Sequence, residues 1–294
     1  MSEYVGPAAL LDKRQARAAF ERAATSYDAS AVLQREIANR MLDRLDVIRR
    51  DPRRVADVGC GTGHCSRALQ QRYRRARVFG VDIADPMLDA ARSQAGWRGR
   101  QYFVCGDAEA LPIADASVDM IVSNLTLQWC DPDKVLREFA RIIRPGGVVM
   151  FSSFGPDTLK ELRSAWGSVD DRPHVHSFID MHDLGDAIIR AGLVDPVMDV
   201  EHFTVTYADV MAILRDLKNL GAHNVSRERH RGLTGKSRFA RFKSAYEAQA
   251  RNGVIPASYE AVYGHAWAPE PRRDGQRRQR TPVVPVRALQ RRKP

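Results

Sequence analysis

Two periodicities divide this chain. From about Asp12 to Ile48 apolar residues recur at helical spacing, first Ala19, Phe20, Ala23, Ala24 and Tyr27, then Leu33, Ile37, Met41, Leu42 and Leu45. The polar run at residues 26–30 predicts a break into two helices. From Arg53 to about Ser153 short apolar runs at 55–58, 78–81, 102–105, 120–123 and 148–151 read as strands. Helical patterns lie between most of them, for example at 85–95 and 132–143. Such alternation predicts right-handed βαβ units and a mostly parallel sheet. Pro145-Gly146-Gly147 predicts a turn before the fifth strand. Beyond it come two helical patterns within 155–192, around a polar loop at 170–177. Residues 197–207 alternate like a strand, helices are predicted at 209–220 and 237–249, and 254–267 reads as a final strand. No internal repeat interrupts this order.

Composition changes the picture in one place. The net charge of +10 would point to a nucleic-acid partner if it were spread over the fold. It is not: residues 270–294 hold eight Arg and one Lys against Glu270 and Asp274, a net +7 that leaves only +3 for the other 269 residues. The Arg-, Pro- and Gln-rich tail is expected to be disordered, and no nucleic-acid partner is expected. With 44% apolar residues the chain can fill a sizeable core. No run approaches the roughly 18 apolar residues of a membrane helix, and the first residues lack a basic start followed by an apolar stretch, so a cytoplasmic protein without a membrane partner is expected. Cys60, Cys65, Cys105 and Cys130 lack paired metal-ligand spacing.

The strongest chemical signal is Val55-Ala56-Asp57-Val58-Gly59-Cys60-Gly61-Thr62-Gly63. A β-branched strand ends in an acid and enters a glycine-rich loop, followed by a predicted helix at 64–71. Gly59, Gly61 and Gly63 allow sharp turns and close approach of backbone to ligand. Position 66 is Ser, so the third glycine of the dinucleotide fingerprint is missing, and no Gly-Lys-Ser/Thr follows for a phosphate loop. Asp82, before Ile83, ends the next strand nineteen residues after Gly63, the spacing of an acid that binds ribose hydroxyls at a doubly wound sheet's switch point. Gly106-Asp107-Ala108 follows the third strand, and Ser123-Asn124-Leu125-Thr126-Leu127-Gln128-Trp129 the fourth. Both place polar groups where ligands bind such sheets.

These motifs, with Arg144-Pro145-Gly146-Gly147, resemble the class I S-adenosylmethionine-dependent methyltransferases. The resemblance implies a doubly wound, Rossmann-like α/β fold whose seven-stranded, mostly parallel sheet has an antiparallel last strand. It implies that Asp57, Gly59, Gly61 and Gly63 frame the methionine part of S-adenosylmethionine, that Asp82 with Ile83 holds the ribose, that Asp107 and Ala108 sit at the adenine, and that Asn124 and Gln128 complete the site. A narrower resemblance runs to Trp267. Ala18-Ala19-Phe20-Glu21-Arg22-Ala23-Ala24 with Ser26-Tyr27, Gln128-Trp129, Asp171-Arg172-Pro173-His174 and Leu217-Lys218-Asn219-Leu220-Gly221-Ala222 are similar to the malonyl-acyl-carrier-protein O-methyltransferase family of biotin biosynthesis. That resemblance implies methylation of the free carboxylate of malonyl-acyl-carrier protein, with malonyl-coenzyme A as an alternative acceptor. The expected organisation is N-terminal helices (1–50) over the cofactor site, a methyltransferase domain (51–269) with helical insertions near 155–192 and 207–252, and the tail. A monomer is expected.

A carboxylate is already ionised near neutral pH, so methyl transfer to it needs no general base. It needs alignment and removal of water. Candidates to align it are Tyr27, Arg172, His174 and Lys218, with His176 beside them; an arginine's fork suits a carboxylate. No metal is expected, because His174 and His176 lack a well-spaced third ligand other than His182. An acidic carrier requires a basic docking surface, and Arg227, Arg229, Arg231, Lys236, Arg238, Arg241 and Lys243 form the densest basic stretch of the folded part. Two alternatives compete with this reading: a nucleic-acid methyltransferase using the tail, and a related assembly factor that binds the cofactor for another task.

Overall fold

The computed structural model describes residues 11–96, 99–227, 229, 232 and 234–270. The Arg-rich tail from residue 271 onward lies outside them, as does Arg231. Among the described residues seven strands form one sheet: β1 (Arg54–Val58), β2 (Arg77–Asp82), β3 (Gln101–Cys105), β4 (Val118–Ser123), β5 (Ile143–Phe154), β6 (Val194–Tyr207) and β7 (Ile255–Trp267). Their order is β3-β2-β1-β4-β5-β7-β6. The first five pair in parallel, and β7 runs antiparallel to both of its neighbours, β5 and β6. The order reverses between β1 and β4, which opens the crevice where doubly wound sheets bind ligands.

The central strands β1, β4 and β5 build this sheet because they are covered on both faces. Successive residues point to opposite sides, and in these strands most are apolar on both. Val55, Met120, Val122, Val148 and Met150 join one core, while Ala56, Val58, Ile121, Val149 and Phe151 join the other. Among the described residues ten helices flank the sheet: α1 (Lys13–Ala23), α2 (Tyr27–Ser30), α3 (Val32–Asp43), α4 (His64–Arg72), α5 (Asp85–Gln94), α6 (Pro132–Ile142), α7 (Lys160–Gly167), α8 (Met181–Arg190), α9 (Val210–Asn219) and α10 (Lys236–Glu247). Helix α6 illustrates the local logic. Asp131 caps it, accepting from the amides of Asp133 and Lys134, and Pro132 opens it without losing a needed N–H. Val135, Leu136, Phe139 and Ile142 then fall on one fully buried face. Each such side chain contributes about 1.5–3 kcal/mol by burial, so a charge at Phe139 would break the second core. Asp12, Asp180 and Asp209 cap α1, α8 and α9 in the same way.

One expectation is corrected. Residues 145–147 do not form a turn before the fifth strand. They lie inside β5 as an irregularity: Val118 pairs with Ile143 and Met120 with Val148, so extra residues of β5 bulge opposite β4. Gly146 at φ +72° absorbs the kink. No helix among the described residues is long and apolar enough to cross a membrane.

Candidate cofactor and acceptor site

The loop after β1 is built by its glycines and by Asp82. Gly59, Gly61 and Gly63 have φ of +73°, +51° and +82°, a region that favours glycine. A Cβ on Gly59 would lie 1.9 Å from the Thr126 hydroxyl oxygen, so the loop closes against the β4 segment only without a side chain there. The amides of Gly59 and Cys60 both donate to the Val81 carbonyl, at 2.7 and 3.0 Å. The Asp82 carboxylate accepts from the Gly61 amide at 2.8 Å and the Ala84 amide at 2.9 Å, which ties the end of β2 to the loop. Burial holds the Asp82 carboxyl above its ordinary value.

Two adjoining cavities open above this loop. The first, about 750 Å³ including its mouth, is lined by Gly59, Gly61, Asp82, Ile83, Asp107 and Ala108 at the strand ends and by Tyr27 and Asn124 across from them. The second, about 780 Å³, shares Tyr27, Gly59, Gly61 and Asn124 and adds Asp57, Gln34 and Arg35. The sequence-predicted cofactor residues therefore converge, with two exceptions. Gly63 caps α4 from a left-handed conformation without lining either cavity. Gln128 turns inward instead: it is 6% exposed and its amide oxygen accepts from the Ser153 hydroxyl.

The second cavity carries two buried acceptors without hydrogen-bond partners. Asp57 is 1% exposed, and Ser66 donates to its Oδ2 at 2.5 Å, while its Oδ1 has no partner. Burial pushes the Asp57 carboxyl up to about 7, with the charge of Asp82 adding to the rise and the Ser66 bond opposing it. The amide oxygen of Gln34 is also buried and unpartnered. Two orphaned acceptors on one cavity wall fit a ligand that brings donors, such as an α-ammonium group. Arg35 lines the same cavity and suits the accompanying carboxylate.

The N-terminal helices form the outer wall, and several of the residues involved carry no sequence motif. Lys13, Ala16, Arg17 and Phe20 share the face of α1 that lines the first cavity. Lys13 reaches Asp107 at 2.6 Å and Glu109 at 2.8 Å; burial works against its charge, but these two contacts outweigh it and its pKa is raised. The Asp28 carboxylate accepts from the Thr62 hydroxyl at 2.6 Å and the Gln94 amide at 2.9 Å, clamping short α2 to the glycine loop. This places Tyr27 over both cavities, its phenol pushed up by burial and by the charge of Asp82. The fourth-strand segment is rigid from the other side. Asn124 accepts from the Ser152 hydroxyl at 2.7 Å and donates to the Gln34 carbonyl at 3.2 Å, and Leu125 is held at φ +51°. A non-glycine residue there costs on the order of 1–3 kcal/mol, strain of the kind found at functional sites.

An aromatic rib runs from the wall into the core. Phe20 meets Trp129 edge-on at 5.2 Å, and Trp129, His176, Phe178 and Phe154 follow in contact. His176 is 6% exposed, and burial pushes its imidazole down to about 4, so it is neutral. It packs behind Trp129 and does not line the cavities. The other acceptor candidates also fall elsewhere. His174 stacks on Trp166 at 3.8 Å and pairs with Asp170 at 2.9 Å, making it a packing element. Arg172 is exposed, with its backbone amide held by Asp170. Lys218 is exposed on the outer end of α9. Of the four, only Tyr27 reaches the cavities. Cys130 lines the first cavity, but burial pushes its thiol up to about 12, which removes it as a nucleophile.

The sheet order, the glycine loop and the strand-end acids define a Rossmann-like methyltransferase of class I. A methyltransferase-domain family matches residues 56–151. The fold is shared with the YcgJ protein from Bacillus subtilis, with a TM-score of 0.57 at 20% identity over 80% of this chain and 99% of that one. It is also shared with a putative methyltransferase of Haloferax volcanii solved with the Trm112 activator, with a TM-score of 0.52 at 21% identity over 85% of this chain and 98% of that one. Much nearer relatives are malonyl-[acyl-carrier protein] O-methyltransferases. That of Methylovorus sp. (strain MP688) is 50% identical over 90% of this chain and 91% of its own length. That of Gallionella capsiferriformans (strain ES-2) is 49% identical over 94% and 96%. The chain belongs to the malonyl-[acyl-carrier protein] O-methyltransferase family.

Proposed function

We propose that this chain methylates the free carboxylate of a malonyl thioester carried on acyl-carrier protein, with S-adenosylmethionine as donor, in the synthesis of the biotin precursor chain. The observation that carries the reading is the family match, near 50% identity over about nine-tenths of both chains. The cavity chemistry supports it. In this reading Asp57 and Gln34 receive the donor's ammonium, Arg35 its carboxylate, Asp82 its ribose, and Asp107 with Ala108 its adenine. Bound there, S-adenosylmethionine supplies a methyl group on a positively charged sulfur, which keeps the C–S bonding pair as the acceptor oxygen takes the methyl.

No proton moves in this exchange, so the protein's task is alignment and desolvation. The groups around the shared wall suit that task. Tyr27 is half-buried and its raised pKa keeps it protonated, so its hydroxyl can orient an acceptor oxygen without adding a charge that would quench it. Phe20 and Trp129 supply an apolar boundary that excludes water. No acid–base pair is required, and the cavity's carboxylates are occupied in holding the loop and α1 or in meeting the donor.

A methyl-transfer assay tests the reading. Labelled S-adenosylmethionine is mixed with malonyl-acyl-carrier protein, with the acetyl form, which lacks the free carboxylate, as control. Base-labile label on the malonyl form alone is expected. Equal labelling of both forms, or of neither despite donor binding, would overturn it.

A further inference from the structure

The cavity beside the glycine loop adjoins a second opening. Gln34 lines that cavity and also a surface groove of about 1220 Å³, open along its length, between α2–α3, α9 and the end of β6. The groove is mainly apolar, with Leu33, Val205, Leu220 and Tyr259 along it. Val32, 65% exposed, stands at its edge. The acids on it are engaged: Glu36 pairs with Arg40 at 2.8 Å, and Asp216 accepts from the Tyr207 hydroxyl at 2.7 Å. Its cation, Arg215, has no partner among the described residues. Met211, Arg215 and Lys218 follow at helical spacing on α9 and form one exposed stripe beside the groove. Lys218 has no carboxylate partner among the described residues either. Its charge and that of Arg22 add to burial in lowering the pKa of His223, so these cations gather near the end of α9.

The basic stretch on α10 differs. Arg238 lies 3.9 Å from Asp170, Lys243 lies 3.6 Å from Glu247, and Arg241 donates to the Val169 carbonyl. Those three have partners within the fold, and Lys236 at the start of α10 is exposed without one among the described residues; on α9 both exposed cations are free to meet an acidic partner.

We infer that the groove between α2–α3 and α9 seats the pantetheine arm of the acyl thioester, while Arg215 and Lys218 meet the acidic carrier at its rim; this rests on the proposed carboxyl-methyltransferase reading. The carrier is too large to enter the cavities, so a flexible arm must bring the carboxylate inward. An arm of methylenes and amides fits an apolar groove interrupted by a few polar groups. The phosphodiester and acidic surface where the arm leaves the carrier match unpaired cations at the rim. Gln34, shared by groove and cavity, marks the passage from one to the other.

Two variants of the full chain test this, each with malonyl-acyl-carrier protein and with malonyl-pantetheine, which has the arm but neither carrier nor phosphate. The exposed pair Arg215→Glu/Lys218→Glu is expected to raise KM for the carrier-bound substrate about tenfold and to flatten its salt dependence. KM for malonyl-pantetheine and the Kd for S-adenosylmethionine should stay within about twofold. Ala29→Trp, at an exposed position lining the groove, is expected to raise KM for both acceptors with donor Kd unchanged. If wild-type protein methylates malonyl-acyl-carrier protein but the charge reversal leaves its KM unchanged, or shifts both acceptors equally, the rim assignment is overturned and the activity stands. If Ala29→Trp spares both acceptors, the groove is not the path of the arm. If wild-type protein does not methylate the malonyl carrier at all, the activity fails and the groove assignment with it.

Discussion

Replacing Asp57 with Asn changes one charge in an almost unchanged shape, and its consequences can be worked from the structure. Asp57 is 1% exposed, and burial lifts its carboxyl from the usual 3.8 to about 7. A folded value above the unfolded one means that the native state binds the extra proton, so this group's contribution to stability falls as pH rises from about 4 through 7. At 1.36 kcal/mol for each tenfold change in proton affinity, the ionised carboxylate costs on the order of 4 kcal/mol above pH 7. Asp57→Asn is therefore expected to melt several degrees higher than wild type at pH 8, since each kcal/mol moves a domain of this size by about 2–4 °C. At about pH 5 the native carboxylate is already protonated, and the advantage should shrink to less than half. Donor binding should move the opposite way. An ammonium ligand needs the ionised form, so wild-type affinity for S-adenosylmethionine should be about tenfold weaker at pH 6 than at pH 8. In the Asn variant affinity should be poor and nearly independent of pH. Thermal unfolding across pH and titration calorimetry read both effects. A variant no more stable than wild type at pH 8, or one that binds the donor with wild-type affinity and pH dependence, would refute the assignment of Asp57 as a strained, ligand-facing carboxylate.

Gly59→Ala should abolish measurable donor binding, because a Cβ there meets the Thr126 hydroxyl at 1.9 Å and φ is +73°. Adding Thr126→Ala should restore binding only in part, since the Cβ of residue 126 would still lie 2.8 Å away and backbone strain of about 1 kcal/mol remains; full restoration in calorimetry would show that only the Thr126 hydroxyl and methyl mattered. Lys13→Ala removes the contacts with Asp107 and Glu109, partly exposed and worth about 1 kcal/mol. A several-fold weaker donor affinity is expected, and an unchanged Kd would mean that α1 needs no such tie. His176 is neutral when folded, its value held near 4 against an ordinary 6.5, so the stability it preserves above pH 6.5 is lost as pH falls towards 4. Wild type should lose about 2 kcal/mol from this group between pH 7 and pH 5 in urea unfolding, and His176→Phe should lose correspondingly less; equal acid sensitivity would sink the idea.

The chain's own pattern determined the fold and half of the site. Short apolar strands, the helical intervals between them and the glycine loop from Gly59 to Gly63 are local signals, each written within about ten residues. They suffice for a parallel sheet, its switch point and the strand-end acids, because those ligand positions follow from topology. Asp57, Gly59, Gly61, Asp82, Ile83, Asp107, Ala108 and Asn124 all line the cavities from positions the motifs marked.

What the sequence could not decide is how distant segments close on one another. Lys13 faces Asp107 and Asp28 faces Thr62 across gaps of 94 and 34 residues. Nothing local distinguishes such a lysine or aspartate from any on a solvated helix face. The same limit applies to the acceptor candidates. Asp171-Arg172-Pro173-His174 reads as a polar loop able to meet a carboxylate, yet His174 is taken by Trp166 and Asp170, and Arg172 points to solvent. Gln128 likewise turned into the core. A side chain's chemistry is fixed by its type, but whether it meets ligand, core or water depends on which other elements bury it. That is settled only when the helices from both ends of the chain pack over the C-terminal edge of the sheet.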